Sequence, residues 1–372
     1  TSSNQSPGSR ATTTTPTVGD RGAGGPCRPG GATVSTVGGH YRCGPGRPEQ
    51  HRLGFRGVRR RGHRVPVRAL VTGSAGFVGH HLVAHLSACG DDVATTDRVD
   101  GGPDLLDGPS LARMVSAEQP EVVFHLAGQA DVGRSWDDPV ETLRANVEGT
   151  MNVLAAARAA GVDRVLTVTS ADVYGAVDAG DLPVSEEAPM RPVSPYAASK
   201  AAADLMALQA HLGHGQDVVR ARSFNHLGRR QSDRFVCPAL AARIVANERS
   251  GSDVVPVGNL EARRDFTDVR DVVRAYRMLA VAGQAGMAYN VCSGRAVAIA
   301  EVAERLLSMA THPMHLETDS ALLRPVDVPE LRGDPSRLQT ATGWVPTHDL
   351  DHTLAEVLDD WRGRLDGHLT AD

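Results

Sequence analysis

Short apolar stretches alternate with longer helical patterns along the chain from about residue 66. The pattern over 139–161 is helical, with apolar positions three or four residues apart at Val140, Leu143, Val147, Met151 and Leu154. Continuously apolar strands are typical of a sheet that is buried on both faces. Strands are predicted over 67–72, 92–97, 122–128, 165–170 and 218–222, and helical stretches end at Leu86, Gly161 and Leu212. This alternation predicts an α/β fold with a doubly wound parallel sheet.

The regular alternation weakens after residue 223. We therefore predict two domains: a sheet domain of residues 66–223 that also receives 266–292, and a smaller mixed C-terminal domain of residues 224–265 and 293–365. Amphipathic helices are predicted in the smaller domain over 297–307 and 350–361.

Residues 1–65 differ in composition from the rest of the chain. They contain eleven Arg and no Lys, against two acids, and few large apolar residues. Such a segment cannot bury enough apolar surface to offset its ordering entropy, so we predict a disordered tail. The arginine run at 52–64 is compatible with a nucleic-acid arm. A solvated tail, or translated sequence upstream of the true start, is the preferred interpretation.

The composition limits the class of protein. The 372 residues are 41% hydrophobic and 22% charged, with a formal net charge of −5, which is typical of a globular protein and argues against nucleic acid as the partner of the main body. No apolar run is long enough to span a membrane, and the tail has no secretory signal. Five scattered cysteines without a CxxC motif predict neither disulfides nor a metal site, so we expect reduced thiols and a cytoplasmic location.

The first candidate site is the glycine turn that follows the strand at 67–72. Gly73, Gly76 and Gly79 lie between this strand and a helix, which is the context in which glycines allow a backbone to approach a pyrophosphate. The pyrophosphate would then lie at the positive end of the helix. The spacing is GxxGxxG, and it predicts a Rossmann domain that binds NAD(P).

The next strand ends in Asp97, about 20 residues beyond the glycines. A carboxylate there binds the ribose hydroxyls of NAD and repels the 2′-phosphate of NADP. Arg98 follows directly and favours the opposite choice, so the preference between NAD and NADP stays open. Asp104 and Leu105 are candidates for contacts with the adenine edge.

The candidate chemistry lies at Ser170, Tyr196 and Lys200. Tyr196 and Lys200 are four residues apart on a predicted helix, so both side chains reach one face. Ser170 ends a predicted strand, at the edge of the sheet where ligands bind. A cation beside a phenol favours phenolate, so we expect Lys200 to lower the pKa of Tyr196 toward neutrality, as a proton shuttle requires. His125 is interpreted as a packed histidine at a strand end.

Taken together, these motifs resemble the extended short-chain dehydrogenase/reductases that modify nucleotide sugars. The resemblance covers residues 67–361 and is closest to the branch that contains GDP-mannose 4,6-dehydratases and GDP-4-keto-6-deoxymannose reductases. It rests on GSAGFVG (73–79), HLAG (125–128), SADVYG (170–175), YAASK (196–200), FNHLGRRQSDRFV (224–236), GNLEARRDFTDVRDVVRAY (258–276), YNVCSG (289–294) and RPVDVPELRGDPSRLQTATGWVP (324–346).

The resemblance implies a role for individual residues. Tyr196 would be the acid/base, Lys200 would position it and bind the nicotinamide ribose, and Ser170 would hold the sugar oxygen. The implied cofactor contacts are Gly73, Gly76, Phe77, Val78, Gly79, Asp97, Arg98, Asp104, Leu105, Leu126, Ala127, Tyr196 and Lys200. The implied substrate contacts are Ser135, Ser170, Asn225, Arg264, Arg324 and Asp327, with a GDP-sugar as substrate. The resemblance also implies a homodimer formed through the helices near 140–160 and 196–212.

Asp172 bears on which reaction is expected. The related dehydratases have Glu at this position, where it removes the C5 proton, and Asp is shorter by one methylene, or about 1.5 Å. Because misplacement by about 1 Å can cost about 10²-fold in rate, we favour reduction of the C4 ketone of a GDP-4-keto-6-deoxyhexose by NAD(P)H. The alternatives are a GDP-mannose 4,6-dehydratase that uses Asp172, another epimerase or dehydratase, and a non-catalytic nucleotide sensor. Asp172 is equally well interpreted as a simple turn residue before Val173-Tyr174-Gly175.

Overall fold

The computed structural model describes residues 66–323 and 326–367. The predicted tail at 1–65 and the predicted substrate contact Arg324 lie outside the described residues. The strands of the described part are β1 (Arg68–Thr72), β2 (Asp92–Thr96), β3 (Val122–His125), β4 (Arg164–Ser170), β5 (Val218–Ser223), β6 (Asn225–Leu227), β7 (Val254–Val257), β8 (Arg263–Asp268), β9 (Ala288–Val291), β10 (Ala296–Ala298), β11 (His315–Thr318) and β12 (Glu330–Leu331).

The α-helices of the same part are α1 (Phe77–Ala88), α2 (Gly108–Glu118), α3 (Val132–Asp137), α4 (Pro139–Leu143), α5 (Gly149–Ala159), α6 (Pro195–His214), α7 (Val236–Ser250), α8 (Val269–Ala282), α9 (Ile299–Ser308), α10 (Ser336–Thr342) and α11 (Leu350–Leu365). A π-helical turn, Arg144–Glu148, joins α4 to α5. Short 3₁₀ turns occupy Ala171–Tyr174, Ala179–Asp181 and Ser320–Leu322.

Six strands form the central sheet in the order β2-β1-β3-β4-β5-β9, and every neighbouring pair is parallel. One core packs the sheet against α1 and α8, and another packs its opposite face against α2, α5 and α6. Burial on both faces explains why strands such as Val122-Val123-Phe124 are continuously apolar. The predicted doubly wound fold is confirmed. The strand order reverses between β1 and β3, so ligands are expected beyond the ends of these strands.

The C-terminal part has a mixed architecture around its own core. β8 pairs in parallel with β6 and β12 and antiparallel with β10, while β7 pairs with β11. Helices α7, α9 and α11 cover the core, which includes Ile244, Leu306 and Leu358. The domain boundaries given above stay a prediction.

Several predicted elements have different limits in the structure. The prediction of a helix from residue 297 is wrong at its start, because Val297 pairs with Arg264 in a strand and α9 begins at Ile299. The strand predicted to reach residue 128 ends at His125. Within the described ranges no helix is long and apolar enough to cross a membrane, and no cluster of His, Cys, Asp or Glu is arranged to hold a metal.

Candidate active site

The glycine turn has no room for side chains. Gly73 has φ +74°, a left-handed conformation that favours glycine, and a Cβ on it would lie 2.7 Å from the Ala127 nitrogen. A Cβ on Gly79 would lie 2.0 Å from the Gly73 oxygen. Gly76 caps α1 without a side-chain hydrogen bond, so no cap side chain covers the first N–H groups of the helix. The turn therefore fits a pyrophosphate at the helix N-terminus.

Replacing Gly79 by Ala is expected to weaken binding of NADPH by about tenfold or more, because the methyl group forces α1 away from the turn. The dissociation constant, measured by fluorescence titration, tests this. Gly180 is the matched control, since a Cβ there meets nothing within 4 Å. Unchanged affinity in Gly79→Ala, or an equal loss in Gly180→Ala, would contradict the assignment of the turn.

Asp97 joins the end of β2 to the glycine turn. Its carboxylate accepts hydrogen bonds from the N–H groups of Ala75, at 3.3 Å, and Val99, at 3.1 Å. Arg98 pairs with Asp104 at 3.4 Å, and its side chain is 77% exposed, so the ion pair is weak. Both signs of charge thus lie at the predicted adenosine end of the site.

Ser170 and Tyr196 meet at the ends of β4 and α6. Helix α6 begins at Pro195, and the Ser194 hydroxyl accepts the N–H of Ala197, which places Tyr196 in the first turn. The Ser170 side chain lies beside the Tyr196 phenol, close enough to lower its pKa. Lys200 lies one turn later, and its Nζ donates to the Val168 carbonyl at 3.5 Å. The predicted convergence of these three side chains is present, while their roles stay a prediction.

The electrostatics of Tyr196 differ from the expectation. Burial and the charge of Asp172 raise the pKa of Tyr196 above the usual range, and the opposing effect of Ser170 is smaller. Lys200 Nζ lies 6.0 Å from the centre of the ring, and burial lowers the pKa of Lys200 to about 8. The prediction that Lys200 lowers the pKa of Tyr196 is therefore wrong for this structure. The phenol stays protonated at neutral pH.

Asp172 lies in the 3₁₀ turn after β4. Its backbone N–H donates to Ser170 Oγ at 3.1 Å, so the turn fixes the side chain of the serine. The same turn is anchored by Tyr174, whose hydroxyl donates to Asn290 at 2.7 Å and accepts from Arg222 at 3.0 Å.

One cavity of about 1270 Å³ connects these groups. Its wall includes all the predicted cofactor contacts, namely Gly73, Gly76, Phe77, Val78, Gly79, Asp97, Arg98, Asp104, Leu105, Leu126, Ala127, Tyr196 and Lys200, together with Ser170, Asp172, Asn225, Arg264 and Asp327. A cavity of this size exceeds a typical pocket for a single ligand of about 300–1,000 Å³, as a site for two ligands requires.

Three predicted substrate contacts have partners within the protein. Arg264 donates to Asp327 at 2.6 Å and to the Val328 carbonyl at 2.7 Å, and Asn259 also donates to Asp327, at 2.7 Å. Ser135 does not line the cavity: it is fully buried, and its hydroxyl donates to the Val132 carbonyl at 2.6 Å. A substrate role for Ser135 stays a prediction that this conformation does not support.

The sequence interpretation missed several residues at the site. Tyr276 is a second phenol in the cavity wall and is bonded to Ser223. Arg234 pairs with Asp131 at 3.8 Å, and both line the cavity from distant segments. Asn146 lies in the π-helical turn and bonds to the loop after β3. Arg234 and Tyr276 lie within the motifs 224–236 and 258–276, but their place at the site depends on contacts between residues far apart in the sequence.

Comparison with known proteins places the chain among relatives of known activity. A family model described as GDP-mannose 4,6 dehydratase matches residues 99–357. A GDP-6-deoxy-D-mannose reductase from Pseudomonas aeruginosa is 40% identical over 301 residues, covering 80% of this chain and 98% of that protein.

Solved structures agree with this relationship. RMD from Pseudomonas aeruginosa, complexed with NADPH, has a TM-score of 0.75 at 39% identity, over 80% of this chain and 99% of that one. UDP-glucose 4-epimerase from Thermus thermophilus, complexed with NAD, has a TM-score of 0.71 at 29% identity, over 80% and 99%. The resemblance inferred from the motifs is confirmed. The chain belongs to the GDP-mannose 4,6-dehydratase family, within the extended short-chain dehydrogenase/reductases.

Proposed function

We propose that this protein reduces the C4 ketone of a GDP-4-keto-6-deoxyhexose with NAD(P)H. The observation that carries the proposal is the buried Tyr196 phenol, which lies beside Ser170 in the cavity wall and is held in its protonated form. Reduction of a ketone needs a proton donor at the carbonyl oxygen, and a protonated phenol is that donor. The 40% identity to a GDP-6-deoxy-D-mannose reductase supports the same reaction.

The residues at the glycine turn fit an NAD(P) cofactor. Gly73, Gly76 and Gly79 would hold the pyrophosphate, and Asp97 and Arg98 would contact the adenosine ribose or its phosphate. When bound, the reduced nicotinamide supplies the hydride that the ketone carbon accepts. The complexes of relatives with NADPH and with NAD support this class of cofactor without choosing between its two forms.

The chain's own groups supply the proton and the orientation. Tyr196 donates its proton to the ketone oxygen, which becomes the new hydroxyl group. Ser170 lies beside the phenol in the cavity wall and would hold the same oxygen in line with it. Lys200, buried one turn away, would bind the ribose next to the nicotinamide and place its positive charge near the developing alkoxide.

The direct test is incubation with GDP-4-keto-6-deoxymannose and either NADPH or NADH, following loss of the reduced-cofactor absorbance and formation of the alcohol. We expect turnover with at least one cofactor. The matched dTDP-4-keto sugar tests the choice of base, which rests here only on the relatives. No oxidation of either cofactor would contradict the proposal.

A GDP-mannose 4,6-dehydratase is the second candidate, favoured by the family model and by the carboxylate of Asp172 beside Tyr196. The two reactions separate in Asp172→Asn. A reductase should keep most of its kcat, because reduction uses no base at C5, whereas a dehydratase should lose about 10²-fold or more.

The assay for the dehydratase is incubation of the wild-type protein with GDP-mannose and no added reductant. If the wild-type protein forms a 4-keto product and Asp172→Asn does not, the dehydratase is the correct function and the reductase is not. Retained reduction in the same variant would exclude Asp172 as an essential base.

We also propose a homodimer in the cytoplasm. Helices α4, α5 and α6 expose the apolar side chains Leu143, Met151, Leu205 and Leu212. Exposed apolar side chains on these helices favour association between copies. Light scattering of the purified protein should give the mass of two chains.

A further inference from the structure

A buried chain of hydrogen bonds runs from the sheet toward the helix that carries Tyr196 and Lys200. His125, at the end of β3, is 3% exposed. Its Nδ1 lies 2.8 Å from Thr72 Oγ1, at the end of β1, and its Nε2 lies 3.0 Å from Thr150 Oγ1, on α5. Both hydroxyls are buried as well, so each of these polar groups depends on its neighbour in the chain.

For a neutral imidazole, the neighbouring groups determine the direction of each hydrogen bond of His125. The Thr150 hydroxyl donates to the Asn146 carbonyl at 2.6 Å, so its oxygen must accept from the imidazole, and the proton of the ring lies on Nε2. Nδ1 then carries the lone pair and accepts the Thr72 hydroxyl, whose oxygen accepts the Ala127 N–H at 3.3 Å. His125 is thus a neutral donor on one side and an acceptor on the other.

Asn146 continues the chain to the candidate catalytic helix. Its carboxamide accepts the Gln129 N–H at 2.8 Å and donates to the Gln129 carbonyl at 3.0 Å, which fixes the loop after β3. It also donates to Ser199 Oγ at 2.8 Å, and the Ser199 hydroxyl donates to the Tyr196 carbonyl at 2.7 Å.

These bonds converge beside Lys200. A Cβ built on Gly128 would lie 2.5 Å from Asn146 Oδ1 and 3.6 Å from Lys200 Nζ, so the loop, the π-helical turn and the lysine meet at one point. A π-helical turn within an α-helix is often found at a functional site, because it redirects backbone groups.

We propose that His125 is a positioning residue for the reaction. It acts through Thr150 and Asn146. These contacts fix the position of the loop at 126–129, where the nicotinamide would lie, relative to the turn of α6 that carries Lys200. The inference rests on the proposed function for its catalytic consequence. It assigns His125 no contact with the substrate or with the reacting atoms.

A neutral imidazole suits this place in the fold. Burial and the nearby charge of Lys200 lower the pKa of His125 to about 3, so the ring keeps its acceptor nitrogen across the neutral range. An apolar residue would fill the volume but leave the Thr72 and Thr150 hydroxyls without their partner.

The test compares His125→Leu with Thr150→Val, which removes the next link while conserving shape. In each variant we expect kcat to fall about tenfold or more while the KM for the ketone substrate changes little, because misplaced groups reduce rate more than binding. The NADPH dissociation constant should rise in both. The double variant should lose no more than the worse single one, since both act through the same chain.

Val123→Ala is the control, because it removes buried volume from β3 without touching the hydrogen-bond chain. It should lower the melting temperature and keep kcat. The inference would be overturned if His125→Leu kept the wild-type kcat and NADPH affinity. It would also be overturned if the effects of His125→Leu and Thr150→Val on kcat multiplied in the double variant. If His125→Leu does not fold, Thr150→Val alone decides, and its wild-type kcat would overturn the inference.

The two proposals fail in different ways. A wild-type protein that does not reduce the 4-keto substrate refutes the proposed function and leaves the NADPH affinities of the variants as the test of His125. A wild-type protein that reduces the substrate, with unaffected His125→Leu and Thr150→Val variants, keeps the proposed function and refutes the role of His125.

Discussion

Replacing Tyr196 by Phe is expected to lower kcat for ketone reduction by roughly 10²- to 10⁴-fold, the usual contribution of a positioned general acid. The variant keeps the ring of this residue, which is 8% exposed as a whole, and removes only the hydroxyl beside Ser170. The fold and the NADPH dissociation constant should therefore stay close to those of the wild type. Steady-state kinetics with a saturating reduced cofactor measure the effect.

Tyr276 gives this experiment a matched control. Its phenol also lines the cavity, but it is bonded to Ser223. Tyr276→Phe removes an equivalent hydroxyl and should keep kcat within about threefold of the wild type, as expected for a group that transfers no proton. If kcat fell strongly in Tyr276→Phe and little in Tyr196→Phe, Tyr276 rather than Tyr196 would be the proton donor.

Ser170 and Tyr196 could be found from the sequence because each lies at a place that a local pattern defines. Ser170 ends an apolar strand, and Tyr196 follows a Ser-Pro pair that starts a helix. In a parallel sheet such ends lie at the same edge, so the convergence follows from topology. The glycine turn was predictable for the same reason, since a strand, three glycines and a helix are adjacent in the chain.

The protonation state of the site was not predictable in this way. The expected effect of Lys200 on Tyr196 used only their spacing along a helix. The pKa of the phenol instead depends on how much of the ring is buried and on the charge of Asp172, which approaches from another element. Long-range ion pairs such as that of Arg264 with Asp327 cannot be predicted from local sequence either, because the two residues are far apart in the chain.

The burial and the ion pairs of Asp204 are the clearest example of a feature that the sequence does not predict. It follows Lys200 by four residues on α6, where an acid in a helical pattern normally faces water. In the structure it is fully buried and pairs with two arginines of β5, Arg220 and Arg222. It also accepts from the Thr169 hydroxyl at 3.3 Å. Asp204 thus fixes helix α6, which carries Tyr196 and Lys200, to the sheet.

Asp204→Asn is expected to lower the free energy of unfolding by about 3–5 kcal/mol, because it leaves two buried guanidinium groups without a counter-charge. Arg222 donates to Asp204 through Nε at 3.1 Å and through Nη2 at 2.9 Å, so the lost interaction is bidentate. A loss of this size is a large fraction of a typical stability of about 5–15 kcal/mol. Chemical denaturation monitored by circular dichroism measures it.

Asp217→Asn is the matched control, because Asp217 also binds one arginine, Arg164, through two bonds of 2.9 and 2.8 Å. The side chain of Asp217 is 28% exposed, whereas that of Asp204 is 0% exposed. Water can replace part of the lost interaction at Asp217, so that variant should lose at most about 2 kcal/mol. If both variants lost the same free energy of unfolding, burial of the Asp204 carboxylate would not be the reason for its contribution to stability. Because Tyr196 and Lys200 lie on the same helix, a larger loss at Asp204 should also appear as a lower kcat in the folded protein.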